Sequence, residues 1–255
     1  MITILSPAKN MKIREDGTRP QSMPVCLSEA RCIWEELRTY LPPDFQALMN
    51  ISEKLAEDSF DRIQAMKWDC NGTSAVETYE GIQYKYMDPG SFSDEAKVFA
   101  QKHVRILSGL YGILRPYDSI YEYRLEMLTR LSVGACKNLY EFWGDRLYGE
   151  LIADLMEDLG KKSPVILNLA SEEYGKIIKR HRKDPIQIVT CSFRTYSKGR
   201  HRVLATAAKM ARGSMVRYLA MNQIDSIEGV KKFCWGDYHY EETLSSPQEL
   251  VFLQG

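Results

Sequence analysis

Four short runs of apolar, β-favouring residues stand out along the chain: Ile2 to Leu5, Val104 to Leu107, Val165 to Leu169 and Ile186 to Val189. Each is compact and nearly uninterrupted. That pattern belongs to strands covered on both faces, because a half-solvated strand alternates apolar and polar positions instead. Three of the four run directly into small polar residues: Ser6-Pro7-Ala8-Lys9, Ser108-Gly109 and Ala170-Ser171-Glu172-Glu173. In sheets flanked by helices, ligand sites gather at the carboxyl ends of strands, where helix N-termini point. The same residues are also ordinary strand-to-helix turn chemistry, with serine as the cap.

Between these runs the apolar spacing lengthens to that of helices. Ser28 to Tyr40 carries Ile33, Trp34 and Leu37 behind a serine cap and stops at Pro42-Pro43. Ser93 to Lys102 opens on Ser93-Asp94-Glu95. Leu147 to Leu159 repeats leucine every fourth residue and closes at Gly160. Over Arg202 to Met221, one stripe collects Leu204, Ala208, Ala211, Met215 and Leu219. The opposite face collects Arg202, Thr206, Lys209, Gly213 and Arg217, with Arg212 at its edge. The stretch Cys70 to Gly90 is rich in Gly, Tyr and Thr and predicts turns and an edge hairpin. No repeat, low-complexity tract or linker divides the chain, so residues 1–255 are expected to form one domain.

Composition changes this picture little. A hydrophobic content of 44% is that of a globular protein. No apolar stretch reaches membrane-spanning length, and MITILSPAKN lacks the basic and long apolar regions of a signal peptide. A cytoplasmic protein without a membrane partner is expected. The six cysteines include no Cys-x-x-Cys pair and the four histidines are dispersed, so no disulfide framework, metal site or cofactor is predicted.

Charge changes it more. The chain has 34 basic and 34 acidic residues, yet no Asp or Glu lies between Asp184 and Asp225. That interval holds Arg194, Lys198, Arg200, Arg202, Lys209, Arg212 and Arg217. A local positive field on a neutral protein points to a defined anion: nucleic acid, a nucleotide or a phosphorylated metabolite. The alternative is a solvated basic face answered by acids elsewhere in space. Gly213 removes a side chain from that face, either for a ligand or for a closely packed helix.

Two further clusters carry chemistry. Ser108 to Arg130 begins with Gly109 and Gly112, which permit a tight turn after a strand, and Arg115-Pro116 breaks any helix. Arg124 and Glu126, two apart on an extended segment, face the same way. Such a pair can orient a ligand, move a proton or form a structural ion pair. The second cluster places Asn168 at a strand end, Ser171 at a helix start and Glu173 just inside it.

Seven segments recur in a known order: LSPAKN near the start, ALMNISEKLA at 47–56, LSGLYGILRPYDSIYEYRLEM at 107–127, LYEFWGD at 139–145, LNLASEEYGK at 167–176, AKMARGSMVRY at 208–218 and ELVF at 249–252. In these the chain resembles the YaaA family of bacterial peroxide-stress proteins. The resemblance implies a cytoplasmic protein with an α/β (mixed α+β) fold, one compact unit with a central mixed sheet flanked by helices. It also implies a positively charged cleft, a helix-hairpin-helix-like element, and binding to duplex and distorted DNA. At the level of the cell it implies resistance to hydrogen peroxide through lower free iron, which limits oxidative DNA damage. The hairpin element would fall on Pro42 to Met66, with short helices at Asp44 to Met49, Ser52 to Ala56 and Ser59 to Met66. DNA-binding hairpins of this kind use glycines to bring backbone amides to phosphate. This segment has no glycine and carries Glu53, Glu57, Asp58 and Asp61, so the basic helix is the better physical candidate. Asn10 stands where the family commonly has Thr, and Gly236 to Tyr240 departs from its Gly-Tyr pattern.

Two functional readings follow. In the first, a DNA-binding stress protein, Lys9, Arg115, Arg124, Lys209, Arg212 and Arg217 line the positive cleft, Ser108 adds a polar contact, and Tyr111 or Tyr123 stacks on an exposed base. In the second, an enzyme acts on a nucleotide, nucleobase or modified base, with Arg124, Glu126, Asn168, Ser171 and Glu173 as candidate catalytic groups. The carboxylates motivate it, because they repel a bare phosphate and suit a base edge or a moving proton. Iron storage is disfavoured, since no Glu-x-x-His pairs are present. Cys136 beside Lys137 is weak support for a thiol sensor.

Overall fold

Ile2, Ile4, Leu5, Ile106, Leu107, Ile166 and Leu167 are all essentially inaccessible to solvent. Their burial follows from the sheet they build in the computed structural model, which describes residues 1–14, 17–68, 72–157, 164–183, 185–197 and 199–254. Among the described residues the main sheet has eight strands. Seven run in the order Tyr238–Tyr240, Glu249–Gln254, Gln187–Ser197, Val165–Asn168, Ile2–Leu5, Val104–Ser108 and Gly112–Leu114. The five inner strands pair in parallel, and the two outer ones pair antiparallel. Arg200–Arg202, the eighth, turns back on the far end of Gln187–Ser197. The fold is therefore a mixed α/β arrangement, a central mixed sheet flanked by helices. Its parallel centre is buried on both faces, as continuous apolar runs require.

The helices fall close to where the periodicity places them. Leu27–Leu37 buries Ala30, Ile33 and Leu37. Asp94–His103 is capped by Ser93, whose Oγ accepts the Ala96 N–H at 3.3 Å. Arg146–Glu157 carries the expected leucine stripe at 147, 151 and 155. Leu159 and Gly160, its expected end, lie outside the described residues, as do Cys70, Asp184 and Lys198.

Four expectations are corrected. The strand expected over Ile186 to Val189 spans Gln187–Ser197, because Cys191 and Phe193 alternate with Ser192 and Arg194 and so switch to one-sided burial. The basic helix spans Ala205–Met221; Arg202 belongs to the preceding strand and Leu204 is the residue before the helix. Pro42 to Met66 forms two helices, Pro42–Met49 and Glu53–Ala65, hinged at the left-handed Asn50. Ser59 is interior to the second, its hydroxyl donating to the Leu55 carbonyl at 2.6 Å instead of capping a third helix. Finally, among the described residues the Gly- and Tyr-rich stretch forms no hairpin with itself. Thr73–Ser74 pairs with Ser119–Ile120, Tyr79–Glu80 pairs with Asn10–Met11, and the short helix Ile82–Met87 follows.

Because Ile2–Leu5, Val104–Ser108 and Val165–Asn168 are parallel neighbours, their carboxyl ends share one edge. Ser6, Ser108 and the turn 168–171 are thereby brought together.

Candidate functional site

The turn after the first strand is fixed from two sides. The Ser6 carbonyl accepts from Tyr84 Oη at 3.0 Å and from Gln83 Nε2 at 3.3 Å. Its hydroxyl accepts the Ser171 N–H at 2.8 Å and donates to Ser171 Oγ at 3.1 Å. Asn168 holds the neighbouring turn, with Oδ1 accepting the Ala170 N–H at 3.0 Å and Nδ2 donating to Thr190 Oγ1 at 3.2 Å. A Cβ at Gly175 would sit 3.1 Å from that amide, so the glycine leaves room for Asn168.

Ser108, Tyr111 and Tyr123 form the floor behind this edge. Ser108 is fully buried, accepts the Tyr111 N–H at 2.8 Å and shares a 2.6 Å hydrogen bond with Tyr123 Oη. Tyr123 is bonded in turn to Tyr79 Oη at 2.6 Å. Burial pushes the Tyr123 phenol up to about 12, keeping it protonated. Tyr111 is wedged edge-on between Trp68 and Tyr123, at ring separations of 6.0 and 5.4 Å. With Tyr111 1% and Tyr123 3% exposed, neither offers a face to a base in this structure. Asn168 and Ser108 likewise shape the turns without facing solvent.

In front of that floor lies a cavity of 440 Å³. Its walls include Lys9, Arg124, Glu126, Ser171, Glu173, Lys209 and Arg212, all singled out from the sequence, and Tyr123 reaches it from the floor. Lys9 Nζ lies 2.7 Å from Glu126 Oε2, and Arg124 Nη2 lies 3.6 Å from Glu126 Oε1. One carboxylate therefore bridges two cations. Glu173 accepts the Leu128 N–H at 3.1 Å. Its burial, helped by the nearby Glu126 charge, pushes its pKa above the ordinary carboxylate value, against the pull of that N–H and of Lys9.

Arg212 differs from the other cations. Among the described residues it has no ion pair, and its Nε is buried without a hydrogen-bond partner. Burial draws its pKa below the usual guanidinium value. Lys209, one turn earlier, is exposed and also lacks a carboxylate partner among the described residues. The Arg124 Nε is buried and unpartnered too. Such groups are costly unless something polar or anionic meets them.

The remaining candidates lie elsewhere. Arg115 pairs with Asp154 at 3.3 Å, beside the tighter Arg105–Asp154 contact of 2.6 Å. Arg217 is held by Asp88 at 3.0 Å and by Ser91. Gly213 does not belong to a ligand-facing surface: it is buried, and a Cβ there would fall 2.0 Å from the Gln83 carbonyl. The glycine serves close packing of the basic helix on Ile82–Met87. No residue of the hairpin 42–65 lines the cavity. Sequence reasoning missed Tyr84, Gln83 and Gly81, which complete the wall. Their signal was the Tyr-rich composition around residue 80, read as a turn.

The profile of the family described as "Peroxide stress protein YaaA" matches residues 1–244. The chain belongs to this family. It is 44% identical to a UPF0246 protein of Clostridioides difficile strain 630 over 100% of both chains. It is 40% identical to a UPF0246 protein of Lactiplantibacillus plantarum, covering 99% of each, and 39% identical to one of Limosilactobacillus reuteri, covering 99% of this chain and 98% of that one. Membership of the YaaA family ties the chain to peroxide stress. Among the described residues, no helix is long and apolar enough to cross a membrane, and no three His, Cys, Asp or Glu side chains cluster as metal ligands.

Proposed function

We propose that this protein acts in peroxide stress as a cytoplasmic DNA-binding protein that limits iron-driven oxidative DNA damage, with the cation-walled pocket at the strand ends as its contact. The carrying observation is the Arg212 guanidinium, set in the pocket wall without an anionic partner beside Lys209. The acid-free interval from 185 to 224 supports the same reading, since it supplies both cations. DNA phosphates provide the missing counter-charge.

Fluorescence anisotropy with duplex, bulged and single-stranded DNA over a salt series tests this. Affinity is expected to fall steeply with salt, and the slope to flatten by about two in a Lys209→Ala/Arg212→Ala double variant. Salt-independent binding, or no binding to any of the three, would remove DNA as the partner.

A second reading rests on a separate observation, the paired Glu126 and Glu173. One is clasped by two cations, and the other is shifted toward its protonated form by burial. Two carboxyl groups in unlike surroundings suit acid–base chemistry on a nucleotide or base. Turnover of a nucleotide that is lost in Glu173→Gln, with the fold intact, would favour the enzyme.

A further inference from the structure

We infer that the pocket receives one unpaired nucleotide, with its phosphate on Lys209 and Arg212 and its base toward Ser171 and Glu173. This rests on the DNA-binding reading and narrows it to a nucleotide taken out of the stack.

The division of charge inside the pocket supports the assignment of the phosphate. Lys9 and Arg124 share Glu126, so their field is already opposed. Lys209 and Arg212 line the same cavity with no carboxylate partner among the described residues. A phosphate placed there gains charge-assisted hydrogen bonds from cations that no carboxylate of the described residues already engages. A site for phosphate alone has no use for Glu126 and Glu173, which repel it. A carboxylate does suit the exocyclic amino groups of cytosine and adenine, which donate hydrogen bonds. The same wall contains Pro7, Ala8, Ile82 and Leu125, apolar surface against which a base ring loses little by leaving water. Size agrees. A cavity of 440 Å³ lies within the range of small-ligand sites and is far too small for a double helix. A base must therefore leave the stack to enter, which costs least where it is unpaired or damaged.

The test is calorimetric titration of the four 2′-deoxynucleoside 5′-monophosphates, the matching nucleosides and inorganic phosphate into the whole protein. A parallel anisotropy series compares a paired duplex with one bearing a single extrahelical nucleotide. The monophosphates are expected to bind about tenfold or more tightly than the nucleosides or inorganic phosphate, with those of adenine and cytosine ahead. They should displace the DNA, and the extrahelical duplex should bind more tightly than the paired one. Arg212→Gln is expected to weaken monophosphate binding about tenfold or more. Should that variant fail to fold, Lys209→Ala, at an exposed position, carries the same comparison. DNA binding that no monophosphate displaces, equal for both duplexes, overturns the inference and leaves the DNA-binding reading standing. Inorganic phosphate binding as tightly as the monophosphates also overturns it. Monophosphate binding without any DNA binding upholds the nucleotide site and overturns the DNA reading.

Discussion

At the scale of single residues, Glu173 is the side chain whose surroundings make the sharpest demand. It accepts the Leu128 N–H, yet burial and then the Glu126 charge raise its pKa above that of the unfolded chain. Below the unfolded value of about 4.3 both states hold the proton and the site is neutral to stability. As pH rises from there toward the raised folded value, the unfolded chain ionises first, so the fold loses stability; above the folded value the loss is constant. Glu173→Gln keeps an oxygen for the Leu128 N–H and removes the ionisation. Its Tm is expected to exceed that of the wild type at neutral pH, with the gap closing as pH falls to about 4. Scanning calorimetry at several pH values checks this, and a gap that widens in acid would contradict it. Ser171 and Glu173 were legible in the sequence because strand-end turns have a simple signature. Arg212 was legible only as a charge. A helical wheel puts it at the edge of a solvated face, and only the packing of the helix against its neighbours turns that edge into a pocket wall. Ser108 and Tyr111 misled for the converse reason. Ser108 is engaged by the Tyr111 N–H and Tyr123 Oη, Tyr111 is buried between the rings of Trp68 and Tyr123, and burial of this kind leaves no mark in the local pattern.

At the scale of elements, the contact between the basic helix and Ile82–Met87 sets the position of Lys209 and Arg212. Gly213 makes that contact possible, because any Cβ would lie 2.0 Å from the Gln83 carbonyl and 3.0 Å from the Met87 nitrogen. Backbone cannot yield as a side-chain tip does. Gly213→Ala is therefore expected to destabilise the protein by about 3 kcal/mol or more. Gly149 is the control. It sits exposed inside the helix Arg146–Glu157, and a Cβ there would meet nothing within 4 Å, so Gly149→Ala should stabilise by about 0.5–1 kcal/mol. Urea denaturation of both variants reads the two signs. Equal effects would mean that helix propensity, not packing, governs position 213. Four of the five inner strands and most helices were legible here because buried parallel strands and capped helices carry local signals. The Glu249–Gln254 strand was not. Its partner Gln187–Ser197 is some sixty residues away, as in the register Glu249↔Thr190, and its short run of four apolar or mixed residues looks the same whether or not it pairs.

At the scale of the whole molecule, neutrality hides an uneven settlement of charge. The acid-free interval supplies cations that the fold treats in two ways. Arg194 is answered by Glu249 at 2.9 Å and Arg217 by Asp88 at 3.0 Å, both acids drawn from distant segments. Lys209 and Arg212 are left to the pocket. The sequence could show the segregation but not the answer, since Asp88 precedes Arg217 by 129 positions. The two groups should therefore separate in experiment. A cation already paired releases few counterions when DNA arrives, because its field is compensated; an unpaired one displaces them fully. Arg217→Ala is expected to leave DNA affinity and its salt slope near wild type, and to cost at most about 1 kcal/mol of stability, the range for a partly exposed pair. Lys209→Ala is expected to leave stability unchanged and reduce the salt slope by about one. Anisotropy over a salt series, with a urea melt on each variant, measures both quantities. Equal slope losses for the two variants would mean that DNA crosses the whole basic helix, as the sequence pattern first suggested, and that the Asp88 pair opens to admit it.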